Sequence, residues 1–210
     1  EMHYLALSAA LRTNKLRVFT VNDLKRLFPR EREKTVKNNL TRWLRKGYCE
    51  RLRRGIYQFM EQGLNVKIPD LFIANRLYEP SYVSLETALS LYNMIPEVAA
   101  QATSVTTRPT RTFRNQYGSF FYRTCKRAAF TGYRLMRDDQ FQILIADPEK
   151  AVVDFLYFRK RSRVPINYEE ERFSKTVLRK LNWAKARRYA QAYGGVVTDA
   201  LEALRQFVRC

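Results

Sequence analysis

Apolar residues follow one rhythm over roughly the first 62 residues and a different one over the rest. "HYLALSAALRT" (residues 3–13) has the Ala/Leu density of a first helix. In "FTVNDLKRLFP" (residues 19–29), Thr20 is placed as an N-cap and Asp23 can return a hydrogen bond to it. Phe19 and Leu24 bracket that cap as a hydrophobic staple, and Pro29 stops the helix. A third helix is expected over roughly residues 31–46. At about 100° per residue, Val36, Leu40, Trp43 and Leu44 share one arc. The opposite arc carries Lys34, Asn38, Thr41, Arg42 and Arg45, all hydrogen-bond donors and none acidic. Gly47 ends the helix. Two strands, "YCERL" and "IYQFM", then join through Arg53, Arg54 and Gly55, the glycine supplying the tight turn. Ile56 and Phe59 have odd spacing, so the expected inward pair is Tyr57 with Phe59, leaving Ile56 near the turn.

Beyond residue 63 the pattern is mixed. "PDLFIANRLY" and "SLETALSLYNMI" read as helices, with Ser84 as candidate N-cap of the second. Strand patterns follow in "ATSVTT", "SFFYRT", "GYRLM" and "FQILIA", where Phe120 and Tyr122 suit the sheet's own core. "DPEKAVVDFLYF" returns to helix, with Asp147 as cap, Pro148 at the first position and Glu149 in the first turn. Further helices are expected over 169–181, 183–192 and 196–208. The predicted fold is α+β. An N-terminal winged helix-turn-helix (residues 1–62) precedes a larger domain (63–210) with helices around a small, mainly antiparallel sheet.

Charge sharpens this picture. Thirty-nine Lys and Arg against 20 Asp and Glu leave a net charge of +19 in 210 residues. Residues 1–62 hold a net +9 and residues 63–210 a net +10, so the excess is not confined to the first domain. Such a balance is the electrostatic footprint of a nucleic-acid binder, since each cation set on a phosphate releases condensed counterions. No apolar run approaches the ~20 residues that span a bilayer, and no amphipathic basic anchor favours a lipid surface. On the third helix Asn38, Arg42 and Arg45, with Lys34 and Thr41, are the candidate base readers; Arg53 and Arg54 are candidate phosphate contacts. Thr103 to Arg137 holds no acid. Its Arg108, Arg111, Arg114, Arg123, Lys126 and Arg127 are further phosphate candidates, interleaved with aromatics. Arg159, Lys160, Arg161 and Arg163 form a second basic cluster after a helix.

Candidate catalytic chemistry is sparse. Phosphate-cradling glycine loops and nucleophile elbows are absent, and His3 is the only histidine. Cys49, Cys125 and Cys210 are odd in number and far apart, which suits free thiols in a reducing, cytoplasmic setting and excludes a Cys/His zinc spacing. Asp147, Glu149, Lys150 and Asp154 are the one cluster a metal-dependent nuclease could use. Glu149 and Asp154 lie about 140° apart on a helix, however, and capping explains the other residues. The expectation is therefore no enzyme activity, no metal and no cofactor. A protein-binding adaptor using Leu64–Pro96 is the remaining alternative.

"PSYVSLETALSLYNMIPE" and "ADPEKAVVDFLYF", with "RGIYQF", "TSVTTRPTRTF" and "FFYRTCKRAAFTGYR" in the same order, resemble the AbiEi family of antitoxins. The resemblance covers most of the chain and is weaker over the last ~45 residues. It implies a bacterial type IV toxin–antitoxin protein that binds inverted repeats in its own promoter, represses it, and counters a nucleotidyltransferase-like toxin. By position it places DNA reading on residues 31–60 and basic patches on the larger domain.

Overall fold

The computed structural model describes residues 3–60, 67–96, 100–162 and 165–210. Two compact units emerge, Glu1–Pro69 and Asp70–Cys210. The boundary expected at residues 62 and 63 lies outside the described residues.

In the first unit, α1 (Tyr4–Thr13) is followed by β1 (Val18–Thr20), α2 (Val21–Leu27), α3 (Glu33–Arg45), β2 (Cys49–Arg53) and β3 (Ile56–Phe59). The capping box at the start of α2 is present as the sequence predicts. Asp23 N–H donates to Thr20 Oγ1 (3.1 Å), and Thr20 N–H donates to Asp23 Oδ2 (2.8 Å). Phe19 and Leu24, the staple pair, are both fully buried. They join Leu7, Leu11, Val36, Leu40, Trp43, Tyr57 and Phe59 in one core. Each large apolar side chain buried there contributes about 1.5–3 kcal/mol. The short β1 was not legible in the sequence. It pairs antiparallel with β3, giving the order β1-β3-β2. That pairing makes β3 the central strand and corrects the expectation for Ile56, which is buried along with every other residue of β3.

The second unit contains α4 (Asp70–Leu77), β4 (Ser81–Val83), α5 (Leu85–Leu91), β5 (Ala102–Thr106), β6 (Arg111–Asn115) and β7 (Gly118–Thr124). After a 3-10 turn (Arg127–Ala129) come β8 (Tyr133–Asp138), β9 (Phe141–Ala146), α6 (Pro148–Arg161), α7 (Lys175–Leu178), α8 (Trp183–Tyr193) and α9 (Gly195–Arg209). The sheet is larger than the small one expected, though three of its five pairings are antiparallel as foreseen. It has six strands in the order β6-β7-β5-β4-β9-β8, and β4/β9 and β5/β7 run parallel. The two strands not foreseen explain its size. β4 is only three residues long, and β6 is an edge strand whose exposed Arg111, Thr112 and Arg114 lack an apolar alternation. The helix expected over 169–181 is also shorter, four residues at Lys175–Leu178.

α4 covers one face of the sheet. Tyr122 Oη donates to the Ala74 carbonyl at 2.6 Å, and Phe72 packs on Phe141 with ring centroids 4.9 Å apart. Asn75 hydrogen-bonds both the N–H (2.7 Å) and the C=O (3.1 Å) of Leu144, satisfying β9 backbone where the short β4 does not reach. α6 is joined to the sheet through Asp154, which accepts from Tyr82 of β4 and from Ser84. Ser84 does occupy the N-cap position of α5, but its hydroxyl serves this contact and not the cap.

Candidate nucleic-acid interface

α3 is amphipathic because its apolar residues recur at helical spacing. Val36, Leu40 and Trp43 are buried, while Lys34, Asn38, Thr41, Arg42 and Arg45 are all exposed. Two of the five already hold local contacts. Arg42 Nη2 donates to Asn39 Oδ1 at 2.8 Å, and Thr41 Oγ1 donates to the Lys37 carbonyl at 3.0 Å. The Thr41 hydroxyl therefore offers a ligand acceptor capacity only. Glu33 opens the helix and pairs with Lys25 and Lys37, each at 2.6 Å. Hydrogen bonds from those two ammonium groups draw its carboxyl down to about 2. It thus neutralises lysines outside the five-residue set. At the hairpin, Arg53 pairs with Ile56 across the strands, leaving Arg54 and Gly55 as the turn. Gly55 has φ +85°, a region that favours glycine, and Arg54 is exposed beside it while Arg53 is half-buried.

The basic residues of the second unit do not form one surface. Arg111 sits opposite Tyr122 and Arg114 opposite Ser119, so their odd spacing points them to opposite sides of the sheet. Arg108 lies over the Tyr78 ring at 4.6 Å and donates to the Glu79 carbonyl at 3.1 Å. Lys126 Nζ donates to the Tyr193 carbonyl at 3.2 Å, and Arg127 is exposed in the 3-10 turn. Arg123 is half-buried against Phe158, 4.3 Å from the ring centroid. In the later cluster, Arg159 pairs with Glu171 at 2.9 Å and Arg161 Nη1 donates to the Thr124 carbonyl at 3.4 Å. Arg163 lies outside the described residues.

Residues 147–154 are drawn into two separate networks. Asp147 caps α6 by accepting from Lys150 N–H at 2.8 Å, and its other oxygen accepts from Tyr189 Oη at 2.8 Å. Lys185 reaches both Asp147 (2.8 Å) and Glu149 (3.1 Å), and Glu149 also accepts from Asn182 N–H at 3.0 Å. Asp154 faces the other way, into the core. Its Oδ1 takes Lys150 Nζ (2.5 Å) and Tyr193 Oη (2.6 Å), and its Oδ2 takes Tyr82 Oη (2.9 Å) and Ser84 Oγ (2.8 Å). Lys150 and Asp154 are both 0% exposed. Burial, reinforced by the Asp154 charge, pushes the Tyr82 and Tyr193 phenols above their ordinary range, so both remain proton donors. The links of Tyr82, Ser84 and Tyr193 to Asp154 were not legible in the sequence because these residues lie 72, 70 and 39 positions away. Glu149 and Asp154 thus have different partners, and among the described residues no group of three His, Cys, Asp or Glu could hold a metal ion.

His3 caps α1, accepting from Ala6 N–H at 3.3 Å. Cys49 and Cys125 are buried free thiols, and burial pushes them up to about 12 and about 11. Among the described residues no helix is long and apolar enough to cross a membrane. Compared with known proteins, the chain matches no family model, and no curated protein matches it significantly.

Proposed function

We propose that the chain is a sequence-specific DNA-binding repressor whose first unit works as a winged helix-turn-helix. α2 and α3 are the helix pair, α3 enters the major groove, and the β2–β3 hairpin rests beside the phosphate backbone. One observation carries this reading. Lys34, Asn38, Thr41, Arg42 and Arg45 are exposed together on a helix whose other face is core, next to a hairpin tipped by Arg54. Arg42 and Arg45 suit guanine O6 and N7, and Asn38 suits adenine N6 and N7. Arg42 must exchange its Asn39 contact for the base edge. Arg54, with Arg53 behind it, holds phosphates. On the second unit Arg111, Arg114 and Arg127 are the exposed phosphate candidates, and Arg108 and Lys126 become available by releasing one carbonyl each.

The resemblance to AbiEi antitoxins extends the proposal. The operator is an inverted repeat in the protein's own promoter, and the protein acts in the cytoplasm against a nucleotidyltransferase-like toxin. No cofactor or catalytic step is invoked. Variant gel shifts test the assignment of roles. Arg42→Ala is expected to lower the discrimination between operator and random duplex, by about 1–3 kcal/mol for a lost bidentate contact. Arg54→Ala is expected to weaken both duplexes alike and to lower the slope of log K against log salt by roughly 0.9. Equal losses from Arg42→Ala on the two duplexes rule out base reading by that residue.

A further inference from the structure

The second unit contains a cavity of about 600 Å³, within the ~300–1,000 Å³ range of small-molecule sites. Its wall includes Thr103, Ser119, Phe121 and Arg123 from the sheet, Phe155 and Arg159 from α6, and Glu86 from α5. Two of these side chains stand out. Arg123 is half-buried, stacked 4.3 Å from the Phe158 ring and 5.9 Å from Phe121. Among the described residues nothing accepts a hydrogen bond or forms an ion pair with its guanidinium. Glu86 is also half-buried and likewise has no hydrogen-bond or ion-pair partner among the described residues. The two groups line the same cavity without reaching ion-pair distance of each other, which is 4.0 Å.

Partial burial strips the Arg123 charge of some of its hydration, and the attraction of Glu86 across the cavity offsets only part of that loss. Burial presses the Arg123 pKa below its ordinary value, Glu86 acts in the opposite direction, and the neighbouring Arg161 and Arg159 add to the lowering. The other charges do not resolve this. Arg159 is held by Glu171 at 2.9 Å, and Glu170 is exposed. Arg159 Nε, buried without a partner, offers one further donor beside Arg123. A simple anion would satisfy the arginine and leave Glu86 opposed to it, while a simple cation would do the reverse. A molecule that carries both charges satisfies the two ends together, and Phe121 and Phe155 add apolar wall to the same cavity.

We infer that this cavity is a binding site for a small zwitterion with a flat apolar body, its oxyanion on Arg123 and its ammonium or N–H group on Glu86. An aromatic α-amino acid is the simplest molecule of that class. Nothing in this inference depends on the DNA-binding reading.

Three probes that share a ring and differ in charge test it: L-phenylalanine, 3-phenylpropionate and phenethylamine. Each is titrated into the unmodified chain and followed by amide chemical shifts. L-phenylalanine is expected to bind with a Kd on the order of 1 mM, as befits a fragment of its size. It should shift the amides of Ser119, Phe121 and Arg123, and bind about tenfold or more tighter than either truncated probe. In Arg123→Met its affinity should fall to that of phenethylamine, and in Glu86→Gln to that of 3-phenylpropionate. The inference is overturned if either truncated probe matches L-phenylalanine, if both variants bind it unchanged, or if none of the probes gives a saturable shift. The probe comparison on the unmodified chain decides the matter even if a variant fails to fold.

Discussion

Asp154→Ala should destabilise the second unit severely. The carboxylate receives four donors, from Lys150, Tyr193, Tyr82 and Ser84, and no part of it or of Lys150 is exposed. Its removal leaves the Lys150 ammonium buried with Tyr193 as its remaining hydrogen-bond partner among the described residues, at 3.2 Å from the phenol oxygen and 4.5 Å from the ring centroid. Losing one partner of a buried ion pair costs about 3–5 kcal/mol. Whole-domain stabilities are about 5–15 kcal/mol, so a large share of the unit's stability is at stake. The origin of the effect is tested by a second step. Lys150→Met added to Asp154→Ala removes the stranded charge and should return about 1–3 kcal/mol, although Lys150→Met alone destabilises. The assay is urea unfolding of the full chain in a Trp43→Phe background, which leaves Trp183 of α8 as the only tryptophan and a reporter of the second unit. A loss below about 1 kcal/mol for Asp154→Ala would refute the reasoning, since that is the size of one ordinary hydrogen bond. So would a double variant less stable than Asp154→Ala alone.

Other consequences are smaller in scale. Thr20→Ala should cost the first unit about 1 kcal/mol through its lost N-cap, read from Trp43 fluorescence during urea unfolding. Partial burial raises the Asp23 pKa, but hydrogen bonds from Thr20 and Arg26 outweigh it and hold the carboxyl below its ordinary value. Its contribution to stability is therefore complete above the unfolded-state value near 4 and is lost as pH falls through the lower folded value; Asp23→Asn should flatten that acid limb. Gly55→Ala meets open space and suffers only its positive φ, a cost of about 1–2 kcal/mol. Gly132→Ala should cost clearly more, each variant being compared with the parent in a thermal melt, because a Cβ there would lie 2.8 Å from the Tyr189 ring and 3.1 Å from Lys150 Cδ.

What was legible in the sequence depended on local physics. The capping box at Thr20 and Asp23, the buried arc of α3 and the Asp147 cap of α6 are all set within a few residues, so spacing alone revealed them. β1 was hidden because Thr20 belongs both to that three-residue strand and to the cap of α2. Its pairing with β3 buries Ile56, which no alternation within β3 could foretell. Strand order in the second unit depends on partners far apart in sequence, such as Val83 with Ile145. The same holds for Arg123 in relation to the candidate site. Among neighbours in sequence it looks like one more exposed arginine, and only the packing of β7 on α6 places it over Phe158 at the cavity wall. Exposure of the α3 donors, in contrast, followed directly from helical period.

The central claim, sequence-specific DNA binding by the first unit, is tested most directly by titrating the unmodified protein onto two duplexes at two salt concentrations. One duplex comes from the region upstream of its own gene and the other is of random sequence and equal length. The account predicts upstream binding about 10³-fold or more tighter than random binding, with both weakening steeply as salt rises. Equal affinity for the two duplexes at both salt concentrations would contradict it.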